Sequence, residues 1–263
     1  ARARELFEEA SRSEGNLEEP WEWLGWLAEE DEAPMEAISW YTKGLERDKG
    51  YLPFIDGLVR SWIQEGDLRE LFSKNPGKEY VRAVQEAERG LNLDENDWRR
   101  WKFLGTAQKA LARFEMAHGR TENAEKLLAK ALESLEQVRR LNSGAWEAYF
   151  LRAAVHSDLA NLLRGLGRDP TQGLEAGLAD ARKAIAESPG FVLTYSVCAD
   201  LLTNRGSYEE DFGRDPSAWY REAIGTYSDA IRINPRLFNA WGNRGLVQVS
   251  LGLYLWQRKK MDP

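Results

Sequence analysis

Residues 97–144 read DWRRWKFLGTAQKALARFEMAHGRTENAEKLLAKALESLEQVRRLNSG, and this stretch decides the fold. Trp101, Leu104 and Gly105 form W-x2-L-G; Ala131, Leu135 and Val138 follow with the spacing small-x3-large-x2-small. Offsets of three and four residues place side chains on one face of a helix. Two such faces in succession predict a pair of antiparallel helices, A and B. Small residues let the two backbones approach where they cross, and large ones fill the gap beside the crossing. Helix A is expected over 97–118, a length of about 33 Å at 1.5 Å per residue.

The same two motifs recur in order on both sides. Trp21, Leu24 and Gly25 repeat the opening. Ile55 fills the aromatic slot of the weakest copy. Tyr149 with Ala153, Tyr195 with Ala199, and Trp241 with Gly245 continue the series, Arg244 standing in the leucine slot. The second motif is carried by Ala37, Tyr41 and Gly44, by Ala83, Ala87 and Gly90, by Gly177, Ala181 and Ala184, and by Ala223, Tyr227 and Ala230. Pro189 and Pro235 each come five residues after the last small residue, where proline cannot prolong a helix. The step from Trp21 to Ile55 is 34 residues; the later steps are 46, 48, 46 and 46. The added residues lie between helix A and helix B and are expected to lengthen each hairpin and add a loop. Gly167-Arg168-Asp169-Pro170 recurs as Gly213-Arg214-Asp215-Pro216, and Met261-Asp262-Pro263 falls one period later. Asp before Pro predicts a helix start, with Asp capping free amides and Pro at the first helical position.

This ordered alternation resembles the tetratricopeptide repeat (TPR) over essentially the whole chain. The resemblance implies an all-α fold, an α-α superhelix of antiparallel helix pairs with lengthened hairpins. The expected layout is a helix B without its A at 1–17 (Ala3, Phe7, Ala10), repeats at 18–50, 51–96, 97–144, 145–190 and 191–236, and helix A of a sixth repeat at 237–263. A layout that opens on B and closes on A reads as a piece of a longer array, with both ends available for end-to-end self-association. More loosely, the long period, the Asn243-Arg244-Gly245 opening and the Gly-Arg-Asp-Pro inserts resemble arrays attached to bacterial signalling proteins such as serine/threonine kinases. No kinase motif occurs in the chain.

Composition narrows the function classes. The 263 residues are 43% hydrophobic and 30% charged, enough apolar surface for a core under solvated helices. The net charge of -7 argues against a general grip on nucleic acid, which needs a basic surface. Acidic residues crowd the first 36 positions, whereas 236–263 carry five bases and one acid, Asp262. Cys198 is the only cysteine, so no internal disulfide forms and the core rests on packing. No leader opens the sequence, and Leu246–Trp256, the longest apolar run, is too short to insert in a membrane. These features fit a cytoplasmic setting.

Catalytic and metal chemistry find no foothold. The two histidines, His118 and His156, cannot make a zinc site alone, and no H-E-x-x-H, G-x-S-x-G, P-loop or G-x-G-x-x-G is present. His156, Ser157 and Asp158 are adjacent on a helix and diverge, so they form no triad. Cys198 occupies a core slot. Trp21, Trp101 and Trp241 belong to the repeat, Trp62 takes its next core slot, and Trp98 and Trp146 recur at the start of helix A. Periodic placement favours packing over a sugar cleft. Glu29-Glu30-Asp31-Glu32 reads as a solvated turn between helices. No catalytic residue, metal site or cofactor is expected. Two other classes remain: an α/α-barrel hydrolase, which needs convergent carboxylates in a deep pocket, and an RNA-binding helical repeat, which needs basic residues in every repeat.

The resemblance also implies that A helices line a concave face that grips a protein or peptide. Arg99, Lys102, Thr106 and Lys109 share one face of the third A helix, and Arg60 projects similarly from the preceding one. They make a basic stripe, read either as a solvated helix face or as a cleft for an acidic peptide or a C-terminal carboxylate. Family members that clamp a C-terminal carboxylate use Lys, Asn and Arg; here Lys102 fits one slot but Thr106 stands where Asn would. Asp200, Asn204, Asn239 and Asn243 offer polar contacts for an extended backbone on later A helices. Trp23 and Trp26 are expected either along the first groove or as a cover over core left exposed at the end of the array.

Overall fold

A computed structural model describes residues 2–12 and 18–261. Among these residues all regular structure is helical. The chain divides into two compact units, Ala1–Asn142 and Ser143–Pro263. Unit 1 holds α1 (Arg2–Arg12), α2 (Glu19–Glu30), α3 (Pro34–Arg47), α4 (Leu52–Leu71), α5 (Gly77–Leu93), α6 (Trp98–Ala117) and α7 (Thr121–Leu141). Unit 2 holds α8 (Trp146–Gly165), α9 (Thr171–Glu187), α10 (Val192–Asp211), α11 (Ser217–Ile233) and α12 (Phe238–Met261). In unit 1 the hairpins are α2/α3, α4/α5 and α6/α7, α1 packs on α2, and alternate helices α2/α4 and α4/α6 touch. Unit 2 repeats the scheme with α8/α9 and α10/α11; α11 packs on α12, and α8 on α10.

Each hairpin seam is a fit between a small and a large residue. Gly25 on α2 faces Tyr41 on α3, so closely that a Cβ on the glycine would lie 2.3 Å from the ring. Gly105 on α6 faces Leu135 on α7, where the same Cβ would meet Leu135 Cγ at 2.8 Å. A second register runs seven residues, two turns, further along each A helix. Gly66 on α4 seats Tyr80 of α5, and Gly206 on α10 seats Tyr220 of α11. The equivalent positions in the hairpins between them are Ala112 with Leu128 and Ala160 with Leu174, all four buried. A larger small partner thus goes with a smaller large one, keeping the seam volume near constant as dense packing requires. His156 is one of these seam residues. It packs against Gly177 on α9, and burial, then the nearby charge of Arg152, pushes its imidazole down to about 4. Cys198 is buried in the core, and burial raises its thiol to about 11.

The turn inside each hairpin has one geometry. Glu32, Ser73, Gly119, Gly167 and Gly213 all take positive φ, between 54° and 71°. The next amide in each case bonds the carbonyl five residues back: Ala33 to Ala28, Lys74 to Arg69, Arg120 to Glu115, Arg168 to Leu163 and Arg214 to Glu209. This is the left-handed helix stop that glycine favours; two of the five positions do without glycine. Between hairpins, Asp48, Asp94, Asn142 and Asn234 end the B helices in extended backbone, and Ser188 ends α9 at φ -136°, ψ 72°. Asp48, Asp94 and Asn234 then accept the amide two residues on, from Gly50, Asn96 and Arg236.

Four sequence expectations need correction. The long period adds helix, not a loop: α2 and α3 have 12 and 14 residues, whereas α4 and α5 have 20 and 17. In the Asp-Pro starts, Pro170 and Pro216 sit at the cap and the helices begin one residue later; Asp169 and Asp215 accept the Thr171 and Ser217 amides at 2.8 Å. The aromatic that opens an A helix is not purely a core filler. Trp101 Nε1, the Tyr195 hydroxyl and Trp241 Nε1 donate to the carbonyls of Glu95, Pro189 and Pro235, each six residues earlier, and pin the preceding turn. Finally, Glu29 and Glu30 belong to α2, and Glu29 is a working part of the groove described below. The Ala3 side chain and the Asp262-Pro263 pair lie outside the described residues.

Candidate functional site

A groove of about 570 Å³ opens between α2 and α4 in unit 1. Helix α2 contributes Glu22, Trp23 and Trp26; α4 contributes Pro53, Asp56 and Arg60. Trp23 is 47% exposed and Trp26 43%. Trp23 is held from both sides, stacked on Phe7 of α1 at 6.0 Å and edge-on to Trp26 at 5.7 Å. The floor is Tyr41, which reaches through from α3. Its ring fits between Gly25 and Gly57, where a Cβ would sit 2.3 and 2.4 Å from it. Glycine is required at both places because any side chain would close the passage through which Tyr41 enters.

The charges around the groove are tied together. Glu29 accepts from Arg60 Nε at 3.2 Å and from the Ser61 hydroxyl at 3.0 Å. The Tyr41 hydroxyl adjoins this cluster and is held well above its ordinary value, by burial first and by the Glu29 charge second. Glu22 accepts from the Tyr51 hydroxyl at 2.9 Å, and burial with that bond raises Tyr51 to about 12. Asp56 is paired with the buried Arg100, which also bonds Asp97 at 3.2 Å. Burial lowers the Arg100 guanidinium from its usual value. Glu22 and Asp56 therefore carry partners of their own at the rim.

Arg60 links the groove to the basic stripe of α6. Its guanidinium lies 5.9 Å from the Phe103 ring centre, and Lys102 lies 5.8 Å from the same ring. Lys102 and Arg99 also sit over Trp98, at 5.0 and 5.3 Å. Arg99 is exposed and reaches Asp97 at 3.5 Å. Thr106 turns its hydroxyl inward to the Lys102 carbonyl, and Lys109 is half-buried one turn further on. Within unit 1, then, Arg60, Lys102 and Arg99 line up on aromatic faces.

The other candidates lie in unit 2. Asp200 accepts from the Tyr227 hydroxyl and, at 3.4 Å, from the Asn243 amide. Burial raises its carboxyl above the usual range, and these bonds oppose the shift. Asp200 and Asn243 thus join α10, α11 and α12. Asn204 is half-buried on α10, and Asn239 is exposed in the first turn of α12. Sequence reasoning missed Tyr41, Glu29, Glu22 and Asp56 as groove residues. The signal for Tyr41 was Gly57, a second glycine placed to receive the same ring as Gly25.

No cluster of metal-ligating side chains occurs among the described residues, and no helix among them is long and apolar enough to cross a membrane. No protein-family model matches the chain, and no curated protein matches it by sequence. Solved structures do. A thermophilic TPR protein of Thermus thermophilus aligns with 89% of this chain and 100% of its own, at 17% identity and a TM-score of 0.63. The nuclear import adaptor Nro1 of S. pombe aligns with 88% of this chain and 84% of its own, at 12% identity and a TM-score of 0.59. Both likenesses extend over both units, and at these identities they speak for the fold. With the seams and turns above, they make the chain a tetratricopeptide-type solenoid, an α-α superhelix of antiparallel helix pairs.

Proposed function

We propose that the chain is a protein-interaction scaffold that captures a peptide segment in the α2/α4 groove and along α6. The supporting observation is the pair of exposed indoles, Trp23 and Trp26, fixed over the Tyr41 floor with Arg60 at the edge. Aromatic walls with one cation at the rim suit a large apolar side chain followed by a carboxylate. The cations on α6 extend that preference to an acidic peptide. Glu22 and Asp56 are held by Tyr51 and Arg100, which favours capture over hydrolysis at this groove. The cationic residues do not recur in every A helix, which sets the reading apart from an RNA-binding repeat.

Selection of displayed peptides on the purified chain tests the proposal. The enriched sequences are expected to share a Trp, Phe or Leu followed within a few residues by Asp or Glu. Trp26→Ala should weaken such a peptide by about thirtyfold, the scale of a buried aromatic anchor. Lys102→Glu should weaken acidic peptides selectively. Failure to enrich any motif, or enriched peptides indifferent to both substitutions, would refute the reading.

A further inference from the structure

Two pockets of unit 1 share no residue with the α2/α4 groove. One, of about 470 Å³, lies between α5 and the end of α6; the other, of about 270 Å³, lies between α6 and α7. Glu115 lines both and forms their common wall. Arg120 Nη2 donates to it at 3.0 Å, and the Arg120 bond holds its carboxyl below the ordinary range, so the wall stays negative. This pair belongs to the hairpin itself, since Arg214 and Glu209 repeat it in unit 2. With Glu115 and Arg120 answering each other, the first pocket keeps Lys78 and Arg82, and the second keeps Lys126 and Lys130. Among the described residues Lys78, Arg82 and Lys130 meet no carboxylate. Lys126 bonds Glu122 in a pair exposed on both sides, which solvent leaves weak. Arg82 is braced over the Trp62 ring at 4.7 Å. The four cations follow one register: they stand five and one residues before the seam residues Ala83 and Ala131. An offset of four puts each pair on one side of its helix. Packing does not ask for charge there, because the same places before Ala37 hold Glu32 and Glu36, before Gly177 Gln172 and Ala176, and before Ala223 Ala218 and Glu222. Two successive B helices thus turn basic in a chain of net charge -7.

We propose that this surface binds a peptide segment bearing two phosphoryl groups, one in each pocket. Charge sets the class of ligand. A phosphoserine or phosphothreonine carries close to two negative charges near neutral pH, which matches the two cations each pocket has to spare. A carboxylate would leave one of the two unanswered. In the first pocket the Asn75 carbonyl already accepts from the Gly77 amide at 2.9 Å, which leaves its NH2 to donate, and Gln85 adds a second amide. Glu115 selects a peptide over a continuous polyanion. A nucleic acid strand or a polyphosphate would carry charge across the Glu115 carboxylate, whereas a peptide can set a neutral residue there. None of these residues lines the α2/α4 groove, so the two surfaces stand or fall separately.

The test uses fluorescein-labelled peptides with two phosphoserines separated by about two to six neutral residues, spans of about 10–25 Å, titrated against the intact chain and followed by anisotropy. At one spacing the doubly phosphorylated peptide is expected to bind at least about tenfold more tightly than its singly phosphorylated form, the gain of tethering a second contact. Lys78→Glu with Arg82→Glu, and Lys126→Glu with Lys130→Glu, should each remove that advantage while far-UV circular dichroism stays unchanged, since all four side chains are exposed. Alanine at the same pairs should give a smaller loss of the same kind. Lys183→Glu with Arg236→Glu makes the same change of charge on exposed residues of unit 2 and should leave binding intact, as should Trp26→Ala in the α2/α4 groove. Failure to bind at every spacing, or equal binding of singly and doubly phosphorylated peptides, overturns the proposal. So does an equal loss in the unit 2 variant, which would reduce the effect to the charge of the whole chain. Equal binding of peptides with glutamate at both positions would make the pockets carboxylate sites and overturn it too. Inorganic polyphosphate that binds more tightly than every peptide, and is lost in the same variants, would overturn the peptide as occupant.

Discussion

Replacing Gly206 with alanine should destabilise unit 2, and replacing Tyr220 with leucine at the same time should restore much of the loss. The added Cβ would sit 2.6 Å from Tyr220 Cε1, 2.7 Å from Cδ1 and 3.3 Å from Trp219 Cβ, so the ring must move. The ring is not free to do so, because its hydroxyl donates to Glu210 at 2.7 Å and contacts Ser207. Overpacking of this kind costs about 1–3 kcal/mol. Removing a glycine from a helix interior returns roughly 1 kcal/mol, leaving a net loss of about 0–2 kcal/mol for Gly206→Ala. Tyr220→Leu alone leaves a void over Gly206 and two polar groups without their partner, at a cost of about 2–4 kcal/mol. The double variant recreates the Ala160/Leu174 pair found one hairpin earlier. It should be less destabilised than the sum of the singles by at least about 1 kcal/mol, the scale of coupling between touching residues. Urea unfolding of the four proteins, followed by circular dichroism at matched protein concentration, gives the coupling directly. Additivity within about 0.5 kcal/mol, or a Gly206→Ala variant more stable than the parent, would refute the argument that seam volume is conserved between hairpins.

Other substitutions probe other links in the chain of reasoning. Ser73→Gly should stabilise unit 1 by about 1 kcal/mol, because Ser73 holds a left-handed backbone that glycine adopts freely; Gly213→Ala should destabilise unit 2 by a similar amount, and thermal melts of the two variants check the opposite signs. His156 has a folded value of about 4, below the ordinary 6.5, so the unfolded chain binds the extra proton between those limits. Stability from this residue is complete above pH 6.5 and declines by up to about 1.4 kcal/mol per pH unit as pH falls toward 4; His156→Leu should flatten that part of the urea-midpoint profile relative to the parent. The Cys198 thiol, buried and raised to about 11, should react with Ellman's reagent only as fast as the chain opens, and immediately in 6 M guanidinium. Rapid reaction in the folded state would mean that α10 is loosely seated.

The seams were legible in the sequence because they are written in residue size. Gly105 with Leu135, and Gly25 with Tyr41, carry their partnership in spacing alone, and spacing survives without coordinates. What stayed hidden depends on bonds that size does not encode. Trp101 and Trp241 read as core because they are large; their indole N–H groups instead hold the loop six residues back, and Trp241 remains 46% exposed. Glu29 read as part of a solvated turn because it opens a run of four acids; α2 instead continues through Glu30 and carries it to Arg60 and Ser61. Asp200 read as a ligand contact because an acid on a helix face is ordinarily exposed; Tyr227, a B-helix aromatic whose ring was predicted, brings a hydroxyl that claims it. The groove itself arises from a side chain crossing between two helices, and only the pair Gly25 and Gly57 hinted at it.

The use of two seam types, Gly/Tyr and Ala/Leu, has a consequence for how such a chain grows by duplication. Exchange of a whole hairpin carries both members of a seam together and yields a product that folds. Recombination with its breakpoint inside a hairpin splits the pair and costs stability: joining α8 to α11 sets Ala160 against Tyr220, and joining α10 to α9 leaves Gly206 under Leu174. Lengthening in steps of one hairpin therefore leaves every seam matched, whereas a joint within a hairpin carries a mismatch of a few kcal/mol that the rest of the unit must absorb.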